Sequence, residues 1–153
     1  MTGPSPVDRG KTGSKIHVLS HRVGVPLSVA VSAANTNDAA ALTPVVLAIP
    51  AIRSRRGPCR RTPDKLHADK AYDQAELRSW LRDRGIVVRI ARKGIESSTR
   101  LGKHRWVIER SIVWLFGYHR LSIRYERYAS HFCAFLTLAA ALTCYKKLAK
   151  WAT

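Results

Sequence analysis

The chain reads as an α/β domain with some parallel strand pairing. Three observations carry that reading: two neighbouring β-type runs near the start, a middle region where strand-like and helix-like stretches alternate, and two apolar helical stretches at the end. Residues 1–13 hold Gly3, Pro4, Pro6, Gly10 and Gly13, and the breakers predict a flexible N-terminal segment. Residues 14–150 form the domain proper. Ser14 to Leu19 and Pro26 to Ser32, anchored by Ile16, Val18, Val29 and Val31, predict an antiparallel hairpin across a short connection at 21–25. Asn35 to Asp38 offers a turn and a helix cap, and Ala39 to Ile49 follows as a helix carrying Pro44 in its early turns. Arg53 to Pro63 is a basic loop, and Lys65 to Asp69 a short strand. Asp73-Gln74-Ala75-Glu76 has capping-box spacing and starts a helix to about Arg84, which Gly85 ends. Ile86 to Ala91 is another strand, Arg92 to Lys103 a basic connection, and His104 to Gly117 and Tyr128 to Lys150 the closing helices. Trp106, Trp114, Leu115, Phe132, Phe135, Leu136 and Leu138 read as core residues on those two helices.

Charge narrows the function. The 153 residues carry 27 Lys and Arg against 10 Asp and Glu, a formal net charge of +17. Such an excess repels itself in a compact fold unless a polyanion relieves it; nucleic acid leads the candidates, ahead of an acidic membrane surface and a ribosomal role. A hydrophobic content of 46% excludes wholesale disorder. Cys59, Cys133 and Cys144 form no CxxC pair, which fits a reducing cytoplasm and argues against a disulfide framework or a zinc finger. The polar opening is unlike a signal peptide, and the longest apolar stretch, Phe132 to Leu142, is short for a bilayer span. A cytoplasmic protein without a membrane partner is expected.

Against this basic background two carboxylates stand out. Asp69 ends the strand in Leu66-His67-Ala68-Asp69-Lys70-Ala71-Tyr72, and Glu109 lies on a helix in His104-Arg105-Trp106-Val107-Ile108-Glu109-Arg110. Ligands in open α/β sheets gather near strand carboxyl ends. Carboxylates there can hold Mg²⁺ or Mn²⁺ against a phosphodiester while neighbouring cations hold the backbone. From spacing alone Asp69 stays open between a metal ligand and a helix cap. Asp38 and Asp73 read as caps. Arg55 and Arg56 in the basic loop, with Lys93, Lys103 and Arg105 around Glu109, are the candidate DNA contacts.

Several segments resemble bacterial insertion-sequence transposases: residues 5–17, 66–72, 89–95, 104–110 and Arg124-Tyr125-Glu126-Arg127. In that order they are similar to the catalytic part of the IS5-family DDE transposases, within the IS4-like group. The resemblance runs from about Thr2 to Leu148. It implies an RNase H-like mixed sheet with flanking helices and an Asp-Asp-Glu metal site that binds Mg²⁺ or Mn²⁺. That site cuts and rejoins double-stranded DNA at transposon ends and target, in a homo-oligomer on DNA at the bacterial nucleoid. Carried over, Asp69 is the second carboxylate and Glu109 the third, and Arg105 with Glu109 matches the arginine-three-glutamate element of the family's tyrosine-arginine-glutamate-lysine signature. Gly102 stands at the signature tyrosine and Phe116 at its lysine. The first Asp of the family lies on a central strand upstream of the Gly-Pro-Ser-Pro segment, so the expected domain lacks that strand. Asp8, among prolines and glycines, is a poor substitute. An upstream transposase segment is the expected source of the first Asp, with this chain as a second reading-frame product inactive by itself. The alternative is a catalytically inactive DNA-binding remnant.

Overall fold

A computed structural model describes residues 2–7, 9–53, 57–92, 94 and 98–152, and within these the side chains of all but 98–104 and 151–152. The chain divides into two compact units, Met1–Thr36 with Val107–Thr153, and Asn37–Trp106.

The first unit is built on a three-stranded antiparallel sheet, β1 (Gly3–Pro4), β2 (Thr12–Ser20) and β3 (Pro26–Ala33). Alternation of apolar residues sets the β2/β3 register. Ile16 pairs with Val31 and Val18 with Val29, so four branched side chains share one face. That face packs against Leu115, Leu121, Phe132, Leu136, Ala139 and Ala140. These come from α3 (Ser98–Phe116, of which Val107 onward belongs to this unit), α4 (His119–Ser122) and α5 (Ala129–Ala152). At the hairpin tip His21 N–H donates to Val25 at 2.8 Å and Gly24 N–H to His21 at 2.8 Å. Gly24 takes φ +86°, a conformation that favours a residue without Cβ.

The opening residues differ from the tail read in the sequence. Gly3 and Pro4 pair with Gly13 and Thr12, Ser5 N–H donates to Lys11, and Gly10 N–H donates to Ser5. The glycines and prolines that looked like breakers make a tight return. Gly3 lies so close to Asn35 that an added Cβ would collide with its side chain. The closing helices also differ. Leu115, Phe132 and Leu136 are core, whereas Trp106 (45%), Phe135 (39%) and Leu138 (56%) are exposed. α5 carries apolar side chains around most of its circumference, and periodicity alone does not say which stripe meets the sheet. Its apolar run exceeds Phe132 to Leu142. Ala129–Lys150 is long and apolar enough to cross a membrane by length and composition. One stripe of it, Phe132, Leu136, Ala139 and Thr143, is buried in this fold.

Cys144 on α5 donates its thiol to the Pro26 carbonyl at 3.3 Å, tying the helix to the start of β3. Burial pushes the Cys144 thiol up from its ordinary value. Cys59 is exposed. Iodoacetamide at pH 8 is expected to alkylate Cys59 first and Cys144 last, because only the accessible thiolate reacts. Peptide mass spectrometry over a time course would show the order.

The second unit holds α1 (Asp38–Leu47), a short hairpin of β4 (Ile52–Arg53) and β5 (Cys59–Arg60), a parallel pair β6 (Lys65–Ala68) and β7 (Val87–Ile90), and α2 (Ala75–Arg82) between that pair. Parallel strands need a crossover, and α2 supplies it. Leu66 on β6, Leu81 on α2 and Ile86 and Ile90 around β7 are buried, as are Leu42, Val45, Val46 and Ile49 from α1 and its end. Asn37 caps α1, its side chain accepting from Ala39 N–H at 3.1 Å, so Asp38 is the first helical residue and not the cap. Pro44 sits inside α1 on the exposed side, and the helix continues through it to Leu47.

Candidate active site

Asp69 follows the last residue of β6, at the carboxyl end of the parallel pair, and is exposed. Its carboxylate accepts from Lys70 N–H at 2.6 Å and caps a 3₁₀ turn over Lys70–Tyr72. The two readings left open by the sequence are therefore compatible in geometry: one oxygen is used as a cap at the strand end where a ligand would sit.

The turn is braced from behind. Asp73 is not an α2 cap; Gln74 holds that position. The Asp73 carboxylate instead accepts a hydrogen bond from Arg78 Nε at 2.8 Å, with Arg78 Nη2 2.7 Å from the same oxygen as an ion pair. Arg78 Nη2 also donates to the Ile90 carbonyl at 2.8 Å. One largely buried guanidinium thus links the residue after the turn to the end of β7. α1 packs on the same turn. Burial raises the Tyr72 phenol above its usual value, and the carboxylates of Asp38 and Asp69 raise it further. Tyr72 is a neutral phenol at physiological pH, grouped electrostatically with Asp38 and Asp69. Sequence reasoning missed this grouping. Tyr72 stands three residues after Asp69, within reach of a turn, but nothing local brings Asp38 there.

Glu109 lies on α3 in the first unit, exposed, four residues after Arg105 along the helix and next to Arg110. Two residues on, Ser111 is fully buried. Its hydroxyl lies 2.7 Å from the Gly24 carbonyl, 3.0 Å from that of Val107 and 2.6 Å from Ser20 Oγ. A Cβ on Gly24 would stand 3.1 Å from Arg110 Cδ, so the helix lies close against the hairpin tip. Ser111→Ala is expected to cost about 1.5 kcal/mol, since buried carbonyl and hydroxyl partners lose a bond. A lowered urea midpoint at unchanged m would show it.

Asp69 belongs to the second unit and Glu109 to the first. Among the described residues no group of three or more His, Cys, Asp or Glu forms a ready metal cluster. Both carboxylates are nevertheless exposed oxygen donors of the kind that suits Mg²⁺ or Mn²⁺. Arg105 is exposed on α3. Arg55, Arg56 and Lys93 lie outside the described residues, as does the side chain of Lys103, and Asp8 is outside them too. Phe116, at the signature lysine position, is exposed at the end of α3.

Exposed carboxylates at a strand end and on a helix, in a chain of net charge +17, are compatible with a protein that meets a polyanion. Residues 2–144 match the family described as the Transposase DDE domain, and the chain belongs to that family. A Burkholderia cepacia protein assigned as a transposase for insertion sequence element IS402 is 44% identical over 147 residues. The match covers 96% of this chain and 70% of that protein. No solved structure matches.

Proposed function

We propose that this chain is the part of an insertion-sequence transposase that carries the second and third carboxylates of an RNase H-like DDE centre. The observation that carries the reading is the position of Asp69 at the carboxyl end of the parallel pair, on a turn braced by Arg78 and α1, in a chain whose family is the transposase DDE domain. Asp69 and Glu109 would hold Mg²⁺ or Mn²⁺, with a further Asp from an upstream transposase segment. The bound ion supplies activation of the attacking oxygen and stabilisation of the leaving one.

Water attacks a phosphodiester at the element's end and releases a 3′-hydroxyl. That hydroxyl then attacks a target phosphodiester, which loses its own 3′-oxygen. Arg55, Arg56, Lys93, Lys103 and Arg105 hold the DNA backbone through that sequence. The work is done by a homo-oligomer on DNA in the bacterial cytoplasm, at the nucleoid.

The test is strand cleavage and transfer on a duplex carrying the element's terminal repeat, in Mg²⁺, with the chain alone and joined to its upstream segment. Metal-dependent nicking by the joined form and none by the chain alone is the expected result. Duplex binding without nicking in both forms would leave the DNA-binding remnant, a reading consistent with the lack of a three-carboxylate cluster among the described residues.

A further inference from the structure

Within the first unit, an open groove of about 450 Å³ runs between the end of α3 and the C-terminal half of α5. Trp114, Gly117 and Tyr118 line one side, and Lys146, Lys147 and Lys150 the other. The lysine ammoniums stand over the aromatic rings: Lys147 Nζ lies 3.8 Å from the Trp114 centroid, and Lys146 Nζ 5.0 Å from that of Tyr118. The Arg110 guanidinium also lies 5.9 Å from the Trp114 centroid.

We propose that this groove is a second contact surface for duplex DNA, in which Lys146 and Lys147 neutralise backbone phosphates beside the candidate active site residues of α3. The proposal rests on the transposase reading for the identity of the polyanion and adds a surface to it.

The bland account of lysines late in a helix is that they complement its dipole. It covers Lys150, which lies in the last turn of α5, but neither Lys146 nor Lys147. The dipole effect fades within that turn. Carboxylate pairing does not explain them either, because residues 127–153 contain no Asp or Glu, and α3 has none after Glu109. Cation–π contacts hold the two ammoniums at defined places over Trp114 and Tyr118 without cancelling their charge. Lys146 to Lys150 rises about 6 Å along the helix, a span that faces about two phosphates of one strand at roughly 3.4 Å each. A fixed, uncancelled double charge on an open groove is complementary to a phosphate backbone.

The experiment measures binding of the full chain to a labelled random-sequence duplex by fluorescence anisotropy, in EDTA, across 50–200 mM salt. EDTA keeps cleavage out of the readout. Lys146→Ala/Lys147→Ala is expected to reduce the slope of log affinity against log salt by about 1.8, at about 0.9 per phosphate contact. Over that salt range the double variant should therefore lose about tenfold less affinity than the wild type. Lys146→Arg/Lys147→Arg keeps the charge and is expected to keep the slope. Wild-type binding with an unchanged slope in the double Ala variant would overturn the groove and leave the DNA reading standing. So would an equal loss in the Arg variant, which would mark a packing effect. Absence of wild-type binding to any duplex would overturn both.

Discussion

Asp69→Asn, in an enzyme carrying the full carboxylate set, is expected to lower strand cleavage in Mg²⁺ by more than about a hundredfold. Loss of a group that merely orients a ligand costs 10–100-fold, and loss of a ligand itself should exceed that. Glu109→Gln should do the same. Neither change should weaken duplex binding in EDTA, because each removes a negative charge from a basic surface and leaves the cations in place. The structure sharpens the control for Asp69. Its carboxylate also caps the Lys70–Tyr72 turn, and Asn is an equally good cap, so Asp69→Asn keeps the turn while removing the charge. Asp69→Ala would lose both, at about 1 kcal/mol for the cap. The comparison separates chemistry from folding: an Asn variant that is stable but inactive supports the ligand role. Retained strand transfer in Mg²⁺ by either the Asn or the Gln variant would refute it.

β2, β3, β6 and β7 were readable because their signals are local, whereas the two-residue strands β1, β4 and β5 fall in stretches read as tail and loop. Ile16 and Val18 alternate against Val29 and Val31, and the observed register pairs those four residues directly. Gly85, with φ +71°, ends the second helix region where a glycine after a charged run predicts a stop. Other features were not local. α3 starts at Ser98, inside a stretch read as a basic connection, because Gly102 looked like a breaker and the helix runs through it. The Lys70–Tyr72 turn and the four-residue α4 are too short to leave a periodic pattern. Asp69 and Glu109 drew attention by being acidic in a basic chain. The groups around the turn that follows Asp69 did not, because Asp38 acts on Tyr72 through the packing of α1 on that turn and Arg78 links Asp73 to a β7 carbonyl. Which face of a nearly all-apolar helix is buried is likewise decided by the partner, as the exposed Phe135 and Leu138 show.

The same long-range logic gives the largest expected stability effect, at Glu126 in the Arg-Tyr-Glu-Arg segment between α4 and α5. The Glu126 side chain is 4% exposed and its Oε1 accepts from Arg120 Nε at 2.8 Å. Its Oε2 is buried with no hydrogen-bond partner among the described residues. Arg120 is 55% exposed. The pair is thus asymmetric: the carboxylate depends on the guanidinium, while the guanidinium can turn to water. Arg120→Ala leaves a buried carboxylate with neither oxygen compensated, and is expected to cost about 3 kcal/mol, the low end for breaking a buried pair because Arg120 is already half solvated. Arg120 also lies over the rings of Tyr125 and Phe135, so part of that loss is packing. Glu126→Gln removes the buried charge, keeps an acceptor for Arg120, and turns the unpartnered Oε2 position into an amide. It should cost about 1 kcal/mol or less. Urea midpoints of the two variants check the order. A Gln variant less stable than the Ala variant would mean that the charge on Glu126 stabilises the fold by itself, contrary to the desolvation its burial imposes.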